Sequence, residues 1–209
     1  MFYGVECSQE VISMETDSLQ SFILFINRGH WLLILCCAFY TVWWFASYHP
    51  DHSGMRSHPL NIILFILTAV SGVYGIYLIF NAFASSAPGH PLFSGYAAAA
   101  AAVILYILSA WITSVKMKRP ITTELILITG WLSMEAVCIS MLYGAAVIGT
   151  GWTFVLFAAD AAVYILSMAA YIEYYKMPPY KAYYTAAIPL IAVGLAMAVL
   201  PSAVYISIR

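Results

Sequence analysis

Two carboxylates interrupt apolar stretches of this 209-residue chain, Glu135 and Asp160. An ionised carboxylate in hydrocarbon costs about 2.5 kcal/mol or more on insertion scales, so such residues are rare and usually functional. The short Gly149-Thr150-Gly151 turn lies between them and should make their helices neighbours. Counted from that turn at about 1.5 Å per residue, Glu135 would lie about 20 Å deep and Asp160 about 13 Å deep. No Lys or Arg occurs at matching depth, so at least one acid is expected to hold a proton at rest. The chemistry open to them is a proton- or cation-responsive site, or hydrogen bonding to a polar solute. The bland alternative is a pair of neutral acids bonded inside the core. Trp131 and Cys138 share the face of Glu135, a packing-like setting, whereas Tyr164, Ser167 and Tyr171 continue the face of Asp160.

Hydroxyls and aromatic rings recur at helical spacing elsewhere: Tyr40, Trp43 and Ser47; Tyr106, Ser109 and Thr113; and Asp160, Tyr164, Ser167 and Tyr171. Ser71 with Tyr74, and Ser140 with Tyr143, add further hydroxyls. Inside a bilayer each needs a partner, because hydrocarbon supplies none. Turned to a common axis, the stripes would line a narrow path rich in aromatic faces and hydroxyls and poor in charge. Such a lining replaces the hydration of a small neutral solute and offers an ion little. Alternatively the hydroxyls only join helices, as Ser and Thr often do in membranes.

Other chemistries find little support. The five histidines are His30, His49, His52, His58 and His90. The first and last fall near the outer face and the other three in a loop, so none is expected mid-membrane. His49-x-x-His52 is weak as a metal signal, bis-histidine haem ligation does not fit, and no cofactor is expected. Cys36, Cys37 and Cys138 sit in apolar runs and Cys7 in the acidic N-terminal stretch, without C-x-x-C spacing. There is no mid-helix Lys for a Schiff base, no Gly-rich phosphate loop, and no nucleophile with a base at recognisable spacing. An intramembrane enzyme using Glu135 or Asp160 as acid or base is therefore the weakest reading.

The positioning elements follow from composition. The chain is 64% hydrophobic and 8% charged, against roughly 25% charged in soluble domains. A net charge of −1 gives no reason to expect a nucleic-acid partner. Six runs approach or exceed the roughly 20 apolar residues of a spanning helix: Trp31–Tyr48, Leu60–Phe83, Phe93–Val115, Ile121–Ile148, Trp152–Tyr175 and Ala182–Ile206. Residues 1–30 form an extracytoplasmic segment and 31–209 the bundle. Within the former, Leu19, Phe22, Ile23 and Ile26 suggest either an interfacial amphipathic helix or the start of one long first helix. The acidic start, without a positive n-region, does not resemble a cleaved signal. Lys and Arg concentrate in the loops bearing Arg56, Lys116–Arg119 and Lys176–Lys181. Those loops should face the cytoplasm, with both termini outside and the chain multi-pass in the plasma (inner) membrane. Ala97 to Ala102 offer a small-residue face for internal packing or for a homo-oligomer contact. Pro189 and Pro201 should bend the last helix.

The chain also repeats itself. Tyr106-Ile107-Leu108-Ser109 returns as Tyr164-Ile165-Leu166-Ser167, and in the same register Lys118 matches Lys176 and Pro120 matches Pro178. Ser71 to Gly75 resembles Ser140 to Gly144, and Tyr40 to Pro59 is a weaker copy of the odd-helix pattern. The simplest account is an all-α membrane protein of six helices, built as three parallel two-helix hairpins. That architecture resembles the acid-activated urea channel and amide channel family. The local likeness consists of Arg119-Pro120 after a Tyr-bearing third helix, Ile172-Glu173 closing the fifth, and Leu200-Pro201 in the sixth. The acidic stretch before Trp31 departs from that pattern, and Ala161, Ala162, Tyr164 and Ser167 stand where tryptophans would be expected. The resemblance implies a pore between hairpins. The expectation is a channel or transporter for a small polar, neutral solute, with Tyr40, Trp43, Tyr106, Ser109, Glu135, Asp160, Tyr164 and Ser167 along the path and lipid around it. The main alternative is a membrane anchor or assembly subunit of a larger complex.

Overall fold

The computed structural model describes residues 3–49, 58–85, 100, 103–104, 107–108, 110–116, 123–174 and 176–208. The described residues are helical, with turns between helices. Five long helices are present: α1 Tyr3–Ser47, α2 Pro59–Ser85, α3 Thr123–Gly144, α4 Thr150–Tyr174 and α5 Pro179–Ile208. Four stretches are long and apolar enough to cross a membrane: Ser18–Ser47 of α1, Pro59–Phe83 of α2, α4 and α5. Their surfaces carry large apolar side chains, among them Phe80, Phe154, Ile165 and Leu195, which lipid can cover where water could not. Among the described residues, four such helices are compatible with a multi-pass membrane protein. Of the third apolar run, 100, 103–104, 107–108 and 110–111 are helical, and Ile112–Lys116 form a π-helical turn.

Helix α1 runs through residue 30 without a break. The expected interfacial helix is thus part of one long element, because Phe22 and Ile26 bury into the core instead of facing a headgroup layer. Helices α2 and α5 begin with proline, whose fixed φ suits a first turn and whose missing N–H is unneeded there. Helix α5 continues through Pro189 and Pro201.

The α3–α4 turn departs from the expected boundary. Helix α3 stops at Gly144 rather than at Ile148. Val147 N–H donates to Leu142 C=O and Ala146 N–H to Tyr143 C=O, with Ala146 left-handed at φ 55°. This is a Schellman cap, with alanine where glycine is usual. Leu142 and Val147 both join the core, supplying the apolar contact that fixes the cap.

Packing follows the order α2, α1, α5, α4, α3, each helix lying against the next. The α1–α2 contact is the most extensive. A Cβ on Gly29 would stand 2.6 Å from Ile79 Cγ1 and 2.9 Å from the Gly75 carbonyl, and one on Gly72 would stand 2.9 Å from Cys36 Sγ. Small residues here let two backbones meet. Against α5, the Tyr183 hydroxyl donates to Phe45 C=O (2.6 Å) and the ring of Tyr183 meets that of Phe45 edge-on. Helix α3 differs from α2: from Thr129 to Leu142 most of its circumference is buried, whereas α2 buries only a stripe through Asn61, Thr68, Ser71, Gly75, Ile79 and Ala82.

Candidate functional site

Among the described residues, the interior of the bundle holds a histidine and two carboxylic acids from three helices. His30 of α1 is fully buried, Glu135 of α3 is 2% exposed and Asp160 of α4 is 8% exposed. His30 continues the buried stripe of α1 through Phe22, Ile26 and Leu33. Asp160 shares its stripe with Leu156, Val163 and Ser167. The α3–α4 cap sets the two acids level. At about 1.5 Å per residue, Glu135 lies about 14 Å from Gly144 and Asp160 about 15 Å from Thr150. The greater depth expected for Glu135 came from counting Ala145 to Ile148 as helix.

The hydrogen bonds of His30 fix its proton. Nδ1 lies 2.7 Å from the Ile26 carbonyl, which can only accept, so Nδ1 carries hydrogen. Nε2 lies 2.9 Å from Glu135 Oε1. One further proton therefore lies between these two atoms. On Glu135 it makes a neutral acid donating to a neutral imidazole; on His30 it makes an ion pair. The pair sums to zero charge either way. Asp160 interacts electrostatically with both partners, and Cys138 of α3 with both acids. Among the described residues no group of three His, Cys, Asp or Glu side chains has the geometry to hold a metal ion. The Lys176–Glu173 pair, by contrast, is exposed and local, an arrangement that contributes little.

Polar satisfaction divides the remaining candidates. Thr41, Thr68, Ser71, Ser133 and Ser202 each donate to a carbonyl one turn back in their own helix, and so need nothing across the bundle. Five buried polar atoms have no hydrogen-bond partner among the described residues: Asn27 Oδ1, Ser47 Oγ, Trp131 Nε1, Asp160 Oδ2 and Ser167 Oγ. Trp131 is one turn from Glu135 on α3, and Ser167 two turns from Asp160 on α4. With Asn27 one turn before His30, these atoms descend through the bundle at increasing depth.

The sequence-selected residues divide accordingly. Glu135 and Asp160 interact electrostatically, Ser167 is buried two turns from Asp160 on the same stripe of α4, and Tyr164 packs half-buried against the core. Tyr40 and Trp43 contact each other, and Trp43 meets Phe65 of α2 at 5.3 Å, which puts Trp43 in the α1–α2 packing. Tyr106 and Ser109 lie outside the described residues, as do His52 and His90. Tyr74 and Tyr143 are about half exposed, 53% and 47%, and turn outward rather than joining an interior lining.

The sequence reading missed His30. It set the histidine near the outer face because the first span was begun at Trp31, after Arg28-Gly29. Gly29 instead permits the approach of α2, and Arg28 points outward. The usable signal was the spacing Phe22, Ile26, His30, Leu33, which carries one stripe across the supposed boundary. Likewise, Glu135 belongs to a polar pair, not to simple packing. No protein-family model matches the chain, and no curated protein or solved structure is significantly similar to it.

Proposed function

We propose that this protein carries a small, polar, uncharged solute across the membrane. The observation that carries this is the set of buried polar atoms without a partner among the described residues on the helices that bear Glu135 and Asp160: Asp160 Oδ2, Trp131 Nε1 and Ser167 Oγ. In hydrocarbon a polar group needs a hydrogen-bonding partner, so atoms of this kind suit a guest that is not protein. An acceptor, an N–H donor and a hydroxyl together match the hydroxyl, amide or urea groups of small neutral solutes. Among the described residues neither Lys nor Arg is buried, so a dissolved anion finds no compensation there.

The same proposal includes six spans in three parallel hairpins, both termini outside, in the plasma (inner) membrane. Two features support it. The packing order leaves one place between α2 and α3, where a third span would complete a ring, and the described residues of the third apolar run are helical. The Lys and Arg skew supports the orientation. The likeness to urea and amide channels is offered at this architectural level, and the path runs along α1, α3 and α4 rather than past Tyr74 and Tyr143.

The test is reconstitution. Proteoliposomes shrunk in hyperosmotic glycerol, urea or acetamide should re-swell several-fold faster than empty liposomes for at least one of these probes. Ser167→Ala and Trp131→Phe should slow that solute. Re-swelling at the empty-liposome rate for all three would remove the proposal. Orientation is tested separately by labelling single cysteines in intact cells, where a site at Ser86 should react and one at Met117 should not.

A further inference from the structure

We propose that the proton is this carrier's second ligand: Asp160 takes up one proton together with each solute and releases it with that solute on the other side. The proposal rests on the solute-carrier assignment above and makes the protein a coupled symporter rather than an open channel.

The His30–Glu135 hydrogen bond joins α1 to α3, helices whose packing partners are otherwise α2 and α5 for the one and α4 for the other. It crosses the interior at the depth where Asp160 and Trp131 offer their unpartnered atoms. A solute moving from Asn27 toward Ser167 must pass this crossing, so the pair is a closure that parts and re-forms. Because its two groups hold one proton between them, the closure is neutral on either side of the exchange. The net charge of the cluster is therefore that of Asp160 alone.

Among the described residues, three helices packed around Asp160 bring groups toward it. From α1 it faces His30 and from α3 Glu135, with the Cys138 thiol beside both acids. On its own helix Tyr164 follows one turn on, half-buried. On α5 the buried residues include Val193, Met197, Leu200 and Val204, and the titratable one among them, Tyr183, lies at the other end of the helix beside Phe45. His30 is already balanced by Glu135, and neither Lys nor Arg is among the described buried residues, so an ionised Asp160 has no counter-charge of its own. When the path is open to water, the carboxylate is hydrated and exchanges its proton with that side. When the path closes around a neutral solute, water leaves and an ionised Asp160 would be stranded in hydrocarbon. Closure around solute therefore requires the protonated carboxyl, whose O–H can donate to the guest, so proton and solute cross together. One proton enters from the first aqueous phase and leaves to the second; the empty carrier returns with Asp160 ionised and water in the place of the solute, so the proton is not carried back, and apart from the His30–Glu135 hydrogen bond that parts and re-forms no other bond is made or broken.

Proteoliposomes enclosing pyranine, with the membrane potential clamped by potassium and valinomycin, give both fluxes at once. On addition of glycerol, urea or acetamide at equal pH, the solute that enters should acidify the lumen at about one proton per solute. An acid exterior should speed entry several-fold. Asp160→Asn should slow entry, and any residual entry should carry no proton; Asp160→Glu should restore part of the coupling. Solute entry with no more acidification than empty liposomes overturns the coupling while leaving solute passage intact. Entry of none of the three probes overturns both. The wild-type flux ratio decides the matter even if a variant at Asp160 does not fold.

Discussion

The α1–α2 interface and the α1–α3–α4 interior use similar residues to opposite ends. In the first, Gly29, Gly72 and Gly75 bring backbones together, and Ser71 and Thr68 spend their hydroxyls on their own helix. In the second, His30 and Glu135 bond across helices, and Asp160, Trp131 and Ser167 retain buried polar atoms without a partner. Both regions would be described from composition as small and polar residues in a membrane helix. What separates them is whether each polar atom is already satisfied. A satisfied interface holds helices in place; an unsatisfied interior has capacity left for a guest.

The largest expected effect is at the bridge. Glu135→Ala leaves His30 Nε2 buried without its partner and opens a cavity, and should cost about 3–5 kcal/mol. Glu135→Gln, whose amide can donate to a neutral Nε2, should cost about 1 kcal/mol or less. Unfolding titrations in mixed micelles measure both, and equal losses would mean that the bridge holds an ion pair rather than a neutral one. Next comes Gly29→Val, whose side chain meets Ile79 and the Gly75 backbone. It should cost about 3 kcal/mol by the same titration, and a neutral result would deny the close helix approach.

Smaller effects sharpen the contrast. Ser71→Ala removes a hydroxyl bonded to Leu67 C=O in its own helix, and should change stability by about 0.5 kcal/mol or less and leave solute entry unaltered. At the α3–α4 turn, Ala146→Gly relieves a left-handed alanine and should stabilise by about 1 kcal/mol. A loss on thermal unfolding in detergent would show that the Schellman geometry does not set the level of the two acids.

Much of the fold was legible in the sequence, because long apolar runs in a chain with 8% charge have few alternatives to membrane helices. Asp160 and Ser167 were legible as one face, since periodicity assigns residues to a stripe. The neighbour of a stripe is not written in periodicity. Tyr74 and Tyr143 fall on regular helical spacing yet turn outward, and Trp43 meets Phe65 of α2 rather than the acids. His30 was hidden for a different reason. Arg28-Gly29 looks like the end of a segment, but arginine can point outward from a helix while glycine admits a neighbour on its other side. The depth of Glu135 was obscured by four residues, Ala145 to Ile148, apolar enough for a helix but used in a turn.

The central claim is that the interior around Asp160 and Ser167 admits guests from water and the α1–α2 interface does not. In a background with Cys7, Cys36, Cys37 and Cys138 replaced by alanine, single cysteines in place of Ser167 and Ser71 can be exposed to a small polar methanethiosulfonate in proteoliposomes. Ser167→Cys should react, lose solute entry on reaction, and be protected by the transported solute, while Ser71→Cys stays unmodified under the same conditions. Equal inertness of the two positions, or reaction at Ser71→Cys alone, would contradict the account.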